Sequence, residues 1–273
     1  LLEEGNCDFV AVGRGQLADP QWGKKAMEGR EKEIRPCIAC LHCIEQIMNG
    51  KAVECAVNPR LGYEVEYTDY KKDGNGRTVV VIGGGPAGME AARVLAEREY
   101  KVVLFEKKEN LGGSVYLGSK PPCKERLQNL VDNMEYQIRQ LGVDIRLGTA
   151  PTIEDIKALN PYSVFVAMGG NSIVPELPGV HGENVVLATD VLDKEMDVKN
   201  KKILVVGSGM TGLETAEYLA EKGNEVTVVE MVKEIGPGVH GSVLYDITTR
   251  LKKYGVEMIH RRQLVGIDKE RAY

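Results

Sequence analysis

The 273-residue sequence predicts an α/β fold built on two parallel-sheet βαβ units. Three observations carry this: an internal repeat, glycine-rich turns at the same place in each copy, and four cysteines clustered ahead of both. The segment TVVVIGGGPAGMEAARVLAEREYKVVLFE, Thr78 to Glu106, aligns without gaps with KILVVGSGMTGLETAEYLAEKGNEVTVVE, Lys202 to Glu230, at an offset of 124. Each copy opens on a β-branched run, turns through glycines, continues at helical period and ends in a second β-branched run. Gly88, Ala92, Leu95 and Ala96 correspond to Gly212, Ala216, Leu219 and Ala220. That spacing puts each set on one helix face, where small residues let the helix lie close to a sheet.

The elements follow in order. Residues 1–25 hold a short strand, Asp8–Val12, and then Gly13-Arg14-Gly15. Residues 26–75 carry the clustered cysteines and lead into a polar, glycine-rich linker or exposed entry loop, Tyr70–Gly76. The first dinucleotide unit is expected over 76–193, with a helix and strand in NLVDNMEYQIRQLGVDIRLGT and a further strand in SVFVAMGG. The second is expected over 194–273, with a helix near Leu244–Lys253 and a strand pair in GVEMIHRRQLVGID. The opening strand has no neighbours to pair with, and the second sheet stops before it is complete. Both ends therefore look cut, as in a fragment of a longer polypeptide or a chain whose ends pack on a partner.

Composition removes several classes. At 43% hydrophobic and 27% charged, the chain can bury a core of one large or two ordinary domains. A net charge of -5 and an isoelectric point near 5.6 supply no basic field for nucleic acid. Val79–Ile82 falls far short of the roughly 20 apolar residues of a membrane span. No signal peptide is visible in LLEEGNCDFV, and the expected location is cytoplasmic.

The first glycine loop is Gly83-Gly84-Gly85-Pro86-Ala87-Gly88 and the second Gly207-Ser208-Gly209-Met210-Thr211-Gly212. Both are G-x-G-x-x-G. Glycine serves a tight turn, close approach of the backbone to a pyrophosphate, and close helix–strand packing. The diphosphate then meets unpaired N–H groups at a helix N-terminus. Glu106 and Glu230 each lie 23 residues after their first glycine, where an acid accepts hydrogen bonds from a ribose hydroxyl. A degenerate copy that merely packs is the alternative for either unit. Glu230 would repel a 2′-phosphate, and Met231 and Val232 follow where a phosphate reader would want Arg, so NADH is favoured over NADPH; the nearby Lys233 speaks the other way. Downstream the units differ. Lys107 leads to the pair Gly112-Gly113, suited to a longer ligand, whereas Glu230 is followed by Gly236-Pro237-Gly238; Met168 and Gly169 close a strand near the first loop. The combination resembles the two-dinucleotide-binding flavoproteins, which implies FAD in the first unit and NAD(P)H in the second.

Cys37, Cys40, Cys43 and Cys55 form C-x2-C-x2-C-x11-C. Four thiolates this close can wrap one soft metal centre, a 4Fe-4S cluster first. Structural zinc usually brings two separated C-x2-C hairpins, and a redox dithiol would leave Cys43 and Cys55 unexplained. His42 is expected beside the ligands rather than among them, and Cys7 and Cys123 as small buried hydrophobes. His181, His240 and His260 read as ordinary surface or satisfied residues. Arg35-Pro36 would fix the entry to the cysteine loop.

DFVAVGRGQLADP, then RPCIACLHC, then the two dinucleotide repeats resemble one family across essentially the whole chain. It is the multidomain NADH:flavin oxidoreductases related to old yellow enzyme, which include 2,4-dienoyl-CoA reductase, enoate reductase and trimethylamine dehydrogenase. The resemblance implies that the opening strand is the last of a truncated FMN-binding (β/α)8 barrel, with Gly13 and Arg14 on the FMN phosphate. It implies electron flow from NADH to FAD to the 4Fe-4S cluster to FMN, and on to an activated C=C bond. Family members space the third cysteine one residue further and return a C-terminal segment to the FAD domain; this sequence does neither. The catalytic acid belongs to barrel residues outside the sequence, so none is named. The expected partner is a small-molecule substrate held by that barrel, without nucleic acid or membrane, with homo-oligomerisation left open. Two other functions stay in play: an electron relay with ADP as a structural ligand in the second site, and a zinc-stabilised nucleotide-binding scaffold.

Overall fold

The computed structural model describes residues 4–67 and 69–273; Leu1 to Glu3 and Thr68, which the expected first two segments include, lie outside the described residues. In chain order the elements are α1 (Arg14–Ala18), α2 (Trp22–Met27), a 3-10 turn (Glu31–Glu33), α3 (His42–Met48), β1 (Thr78–Ile82), α4 (Pro86–Glu97), β2 (Lys101–Phe105), α5 (Gly113–Gly118), α6 (Glu125–Gln140), β3 (Asp144–Arg146), α7 (Ile153–Ala158), β4 (Ser163–Val166), α8 (Ala188–Asp193), β5 (Lys202–Val206), α9 (Met210–Glu221), β6 (Glu225–Glu230), α10 (Gly241–Lys253) and β7 (Glu257–His260). They form two compact units, one of residues 1–115 and 126–169, the other of 116–125 and 170–273. The boundary near Gly169 falls upstream of the expected break at 193/194, and the cysteine segment shares a unit with the first repeat.

In the first unit a four-stranded sheet runs β3-β2-β1-β4 with every pairing parallel, Val80 standing between Val103 and Val164. Alternation along the strands splits its two faces. Val80, Val103 and Phe105 pack towards α7, against Ile156 and Leu159. Val79, Val81 and Leu104 face Met89, Ala92 and Leu95 of α4 and Leu130, Met134 and Ile138 of α6. Ala18 and Val57 join this second core, with Cys37, Ile38 and Cys55 packed on it. The cysteine segment is thus built onto the sheet rather than tethered beside it. Polar anchors hold it there. Asn133 of α6, buried, donates to the carbonyls of Lys32 and Ile34 at 2.8 and 3.1 Å. Arg126 donates to the Cys37 carbonyl at 3.3 Å, and Arg35 reaches the Val57 carbonyl at 2.6 Å and Glu90 of α4 at 3.1 Å.

The second unit repeats the plan in smaller form, a three-stranded parallel sheet β5-β6-β7. Its core joins Val205, Val226 and Val228 to Leu213, Ala216 and Leu219 of α9 and Ile247 and Leu251 of α10. The small face read from the repeat is therefore the one against the sheet in both units. Glu217 of α9 is 1% exposed and takes the Arg250 guanidinium at 2.5 and 3.0 Å.

Three expectations need correction. Asp8–Val12 is not a strand: it finds no ladder partner among the described residues, and Phe9 is 91% exposed. An extended run cannot bury its backbone groups alone. The strand pair near the end is one strand, β7, followed by an isolated bridge between Ile267 and Ala272. The Tyr70–Gly76 segment, expected as a linker or exposed entry loop, is exposed at Lys71, Lys72, Asn75 and Gly76 and tied down at its end: Asp73 pairs with Arg98, the Gly74 N–H donates to the Arg98 carbonyl, and a Cβ on Gly74 would lie 2.3 Å from Glu99. Cys123 is exposed, at a φ of 61°, and Cys7 is half-buried. Among the described residues no helix is long and apolar enough to cross a membrane.

The Glu217–Arg250 pair yields a test of the second core. Arg250→Met should leave a buried carboxylate without its cation and lower stability by about 3 kcal/mol. The double variant Glu217→Leu/Arg250→Met should recover most of that loss. Urea unfolding followed by far-UV circular dichroism measures both.

Candidate functional site: two glycine loops and a cysteine pocket

Each glycine of the first loop has a separate physical job. Gly83 sits at φ 109°, and a Cβ there would lie 2.3 Å from the Ala167 carbonyl oxygen, where β4 ends. Gly88 lies so close to the strand turn that a Cβ would meet the Gly83 carbonyl oxygen at 1.8 Å. Gly85, between them, faces open space, with φ −73° and nothing within 4 Å of a would-be Cβ. The loop is therefore sealed behind and open in front, over the start of α4. Pro86 occupies the first helical turn and no side chain caps the helix, so its first N–H groups point outward unsatisfied by protein side chains.

The second loop matches it. Gly207 has φ 96°, Gly212 would place a Cβ 2.0 Å from the Gly207 carbonyl oxygen, and Gly209 faces open space. The start of α9 at Met210 and Thr211 is likewise uncapped by any side chain.

The two acids land in equivalent places. Glu106 accepts from the Gly84 N–H at 2.7 Å and the Lys108 N–H at 2.9 Å. Glu230 accepts from the Ser208 N–H and hydroxyl, each at 2.8 Å, and from the Val232 N–H at 3.1 Å. Both carboxylates are buried beneath their loops. Burial works to raise the Glu230 carboxyl, but its donors from Ser208, Val232 and Met231 hold it below the usual carboxylate range. Gly112 and Gly113 also come to the first loop: the Gly112 N–H donates to the Gly84 carbonyl at 2.9 Å, and a Cβ on Gly113 would lie 3.1 Å from the Gly85 Cα. In the second unit the Gly236 N–H donates to the Ser208 hydroxyl at 3.0 Å. Lys107 and Met168 are exposed, and Gly169 follows at φ 70°.

Cys37, Cys40, Cys43 and Cys55 are free thiols that line one small pocket with Ile38, Leu41, Ala56 and Val57. Burial pushes the Cys40 thiol up, a backbone hydrogen bond from His42 works the other way, and the neighbouring Cys55, Cys37 and Cys43 add to the rise. Soft donors of this number fit an iron–sulfur cluster. Among the described residues, no group of three or more His, Cys, Asp or Glu side chains is arranged to hold a single metal ion. His42, beside the thiols, meets Glu54 at 3.2 Å. His240 is not the satisfied residue expected, since its Nδ1 is buried without a hydrogen-bond partner.

The structure adds Leu17, Asp19 and Asn58 to the site and gives Arg14, expected on a flavin phosphate, a place at the cysteine pocket. Arg14 and Leu17, three apart on α1, also line the cysteine pocket. Asp19 accepts from the Lys25 ammonium and from the N–H groups of Gln21 and Arg35, and Asn58 donates to the Leu17 carbonyl. The pair Asp19-Pro20 carried no periodic signal; only its place between two glycine-rich and cysteine-rich motifs could have drawn notice.

Residues 77–272 match the family model described as "Pyridine nucleotide-disulphide oxidoreductase". The chain is 41% identical over 261 residues to an NADH oxidase of Thermoanaerobacter brockii, covering 94% of this chain and 40% of that protein. It is 39% identical over 268 residues to a bilirubin reductase of Mediterraneibacter gnavus (strain CC55_001C), covering 98% and 42%. A solved 2-naphthoyl-CoA reductase in complex with 2-naphthoyl-CoA superposes with a TM-score of 0.94 at 31% identity, covering 99% of this chain and 41% of that one. The chain thus spans about two fifths of the length of these relatives. All three bear the names of oxidoreductases, in line with the resemblance drawn from the sequence. Because the matched region takes in both glycine loops and both buried glutamates, the chain belongs to the pyridine nucleotide-disulphide oxidoreductase family.

Proposed function

We propose that this chain is the electron-transfer part of an NADH-dependent flavin and iron–sulfur oxidoreductase. The observation that carries the reading is the coexistence, in one compact unit, of an open glycine loop and a pocket lined by four free thiols. When bound, FAD and NADH would supply hydride chemistry, the 4Fe-4S cluster single-electron chemistry and FMN the delivery to an activated C=C bond of enoate or acyl-CoA type.

The chain's own residues do the holding. Gly85 and Gly209 leave room for a diphosphate, and the uncapped starts of α4 and α9 present N–H donors to it. Glu106 and Glu230 are acceptors fixed by backbone donors, so a ribose hydroxyl would meet a carboxyl group that needs no reorientation. Gly112 and Gly113 fold the following loop over the first diphosphate site. Gly13 and Arg14 would take the FMN phosphate, the guanidinium as a two-pronged donor. Four free thiols lining one pocket match the ligand number of a 4Fe-4S cluster.

Two tests follow. The first separates ligand binding from folding. In the full-length protein, Gly85→Ala and Gly209→Ala should leave the unfolding midpoint unchanged, since each new Cβ enters open space. They should weaken FAD and NADH binding respectively by tenfold or more, read by flavin content and by NADH titration. Gly88→Ala should instead lower stability by about 2 kcal/mol through overpacking. The second addresses the metal. Anaerobic visible and EPR spectra of the full-length protein should show flavin bleaching and a reduced-cluster signal on adding NADH. Cys43→Ser should abolish the cluster signal and most of the iron; zinc alone in the native protein would overturn the assignment, and flavin indifferent to NADH would favour the ADP-bound relay.

A further inference from the structure

We propose that Arg14 is the counter-charge of the cysteine pocket and sets the one-electron potential of the centre held there; this rests on the cluster reading above. The pocket is lined by Arg14, Leu17, Cys37, Ile38, Cys40, Leu41, Cys43, Cys55, Ala56 and Val57, and Arg14 is the one permanently charged side chain among them. Among the described residues its guanidinium has no hydrogen bond and no ion pair. That sets it apart from Arg30, Arg35, Arg60, Arg93 and Arg98 of the same unit, each engaged with a carboxylate.

Its position is held from both ends of the cysteine segment. Asn58, three residues after Cys55, donates to the Leu17 carbonyl at 2.9 Å. Asp19, at the end of α1, accepts from the N–H of Arg35, two residues before Cys37, at 2.9 Å. Ala18 is buried in the core that Cys37 and Cys55 touch. The helix that carries Arg14 is thus part of the pocket's wall.

Arg14 is exposed, so solvent screens part of its charge, but beside a pocket otherwise lined by thiols and aliphatic side chains that screening is weaker than in open water. Adding one electron to a four-thiolate cluster makes the site one charge more negative and breaks no bond. A fixed guanidinium therefore favours the reduced form and raises the potential. A flavin phosphate on the same guanidinium would offset part of that charge, so the effect is larger when FMN is removed.

The experiment uses the full-length protein, as Arg14→Gln, Arg14→Lys and wild type, each with FMN and after FMN depletion. Cluster potentials are read by anaerobic EPR titration with dithionite and mediators. Arg14→Gln should shift the one-electron equilibrium towards the oxidised form by about tenfold, a drop of about 59 mV for a one-electron couple. Arg14→Lys should stay near wild type, and the Gln-to-Lys difference should widen after FMN depletion. Equal potentials in all three proteins overturn the proposal, as does a difference that vanishes with FMN, which would leave Arg14 a phosphate ligand alone. A folded Arg14→Gln protein that takes up no iron also overturns it, since a counter-charge is not needed for assembly. Iron-free wild type would instead defeat the cluster reading itself, a separate outcome.

Discussion

The carboxylate of Asp19 and the guanidinium of Arg35 hold the cysteine segment to the first sheet, and the rest of the site depends on that hold. Asp19 collects Lys25, Gln21 and the Arg35 N–H, while the Arg35 side chain bridges the Val57 carbonyl and Glu90 of α4. Glu90 in turn pairs with Arg93, and Arg93 with Glu97. Burial alone would raise the Glu90 carboxyl, yet Arg93 and Arg35 hold it below its ordinary value. Partly buried ion pairs add little net stability, because desolvation offsets much of the Coulomb gain. What this network fixes is geometry: the helix that opens at the glycine loop and the loop that carries the thiols cannot drift apart without exposing paired charges.

The two repeats share hydrogen bonds, not only residues. Gly84 and Lys108 bond to Glu106 as Ser208 and Val232 bond to Glu230, each at the offset of the repeat. Where the copies differ, the difference is local. Gly112 donates to a backbone carbonyl at Gly84, whereas Gly236 donates to the Ser208 hydroxyl, which itself donates to Glu230. The second loop is tied to its acid by a side chain that the first lacks. Pro237 also stands where Gly113 folds over the first loop. The same frame thus recurs in both copies under a different cover.

Much of this was legible because the relevant constraints are local. A positive φ at Gly83 or a 1.8 Å approach at Gly88 demands glycine in a short window, and a helix face of Gly88, Ala92 and Leu95 repeats every turn. The cysteines declared themselves by spacing. What escaped is long-range. Asn133 serves carbonyls about a hundred residues earlier, and Leu17 lines a pocket whose thiols begin at Cys37; neither leaves a periodic trace. Asp8–Val12 has the composition of a strand but no partner among the described residues, since pairing is set by neighbours and not by β-branched content. Cys123 shows the same limit, as exposure at a positive φ is decided by the turn before α6.

Helix starts in the first unit are seldom capped by a side chain. At α7 a complete capping box operates: the Thr152 hydroxyl takes the Asp155 N–H, and the Asp155 carboxylate takes the Thr152 N–H. A good cap is worth about 1 kcal/mol. Yet α4, twice as long and central to the core, begins with no side-chain cap, and α9 repeats the omission in the second unit. Both uncapped starts lie directly behind a glycine facing open space, while the capped one does not. Side-chain caps are also missing at α1, α2, α3, α8 and α10, so their absence alone marks nothing; what α4 and α9 share, as α1 does at Gly13, is a glycine N-cap facing open space, which leaves room for an anionic group beside free N–H donors at the same point of both repeats.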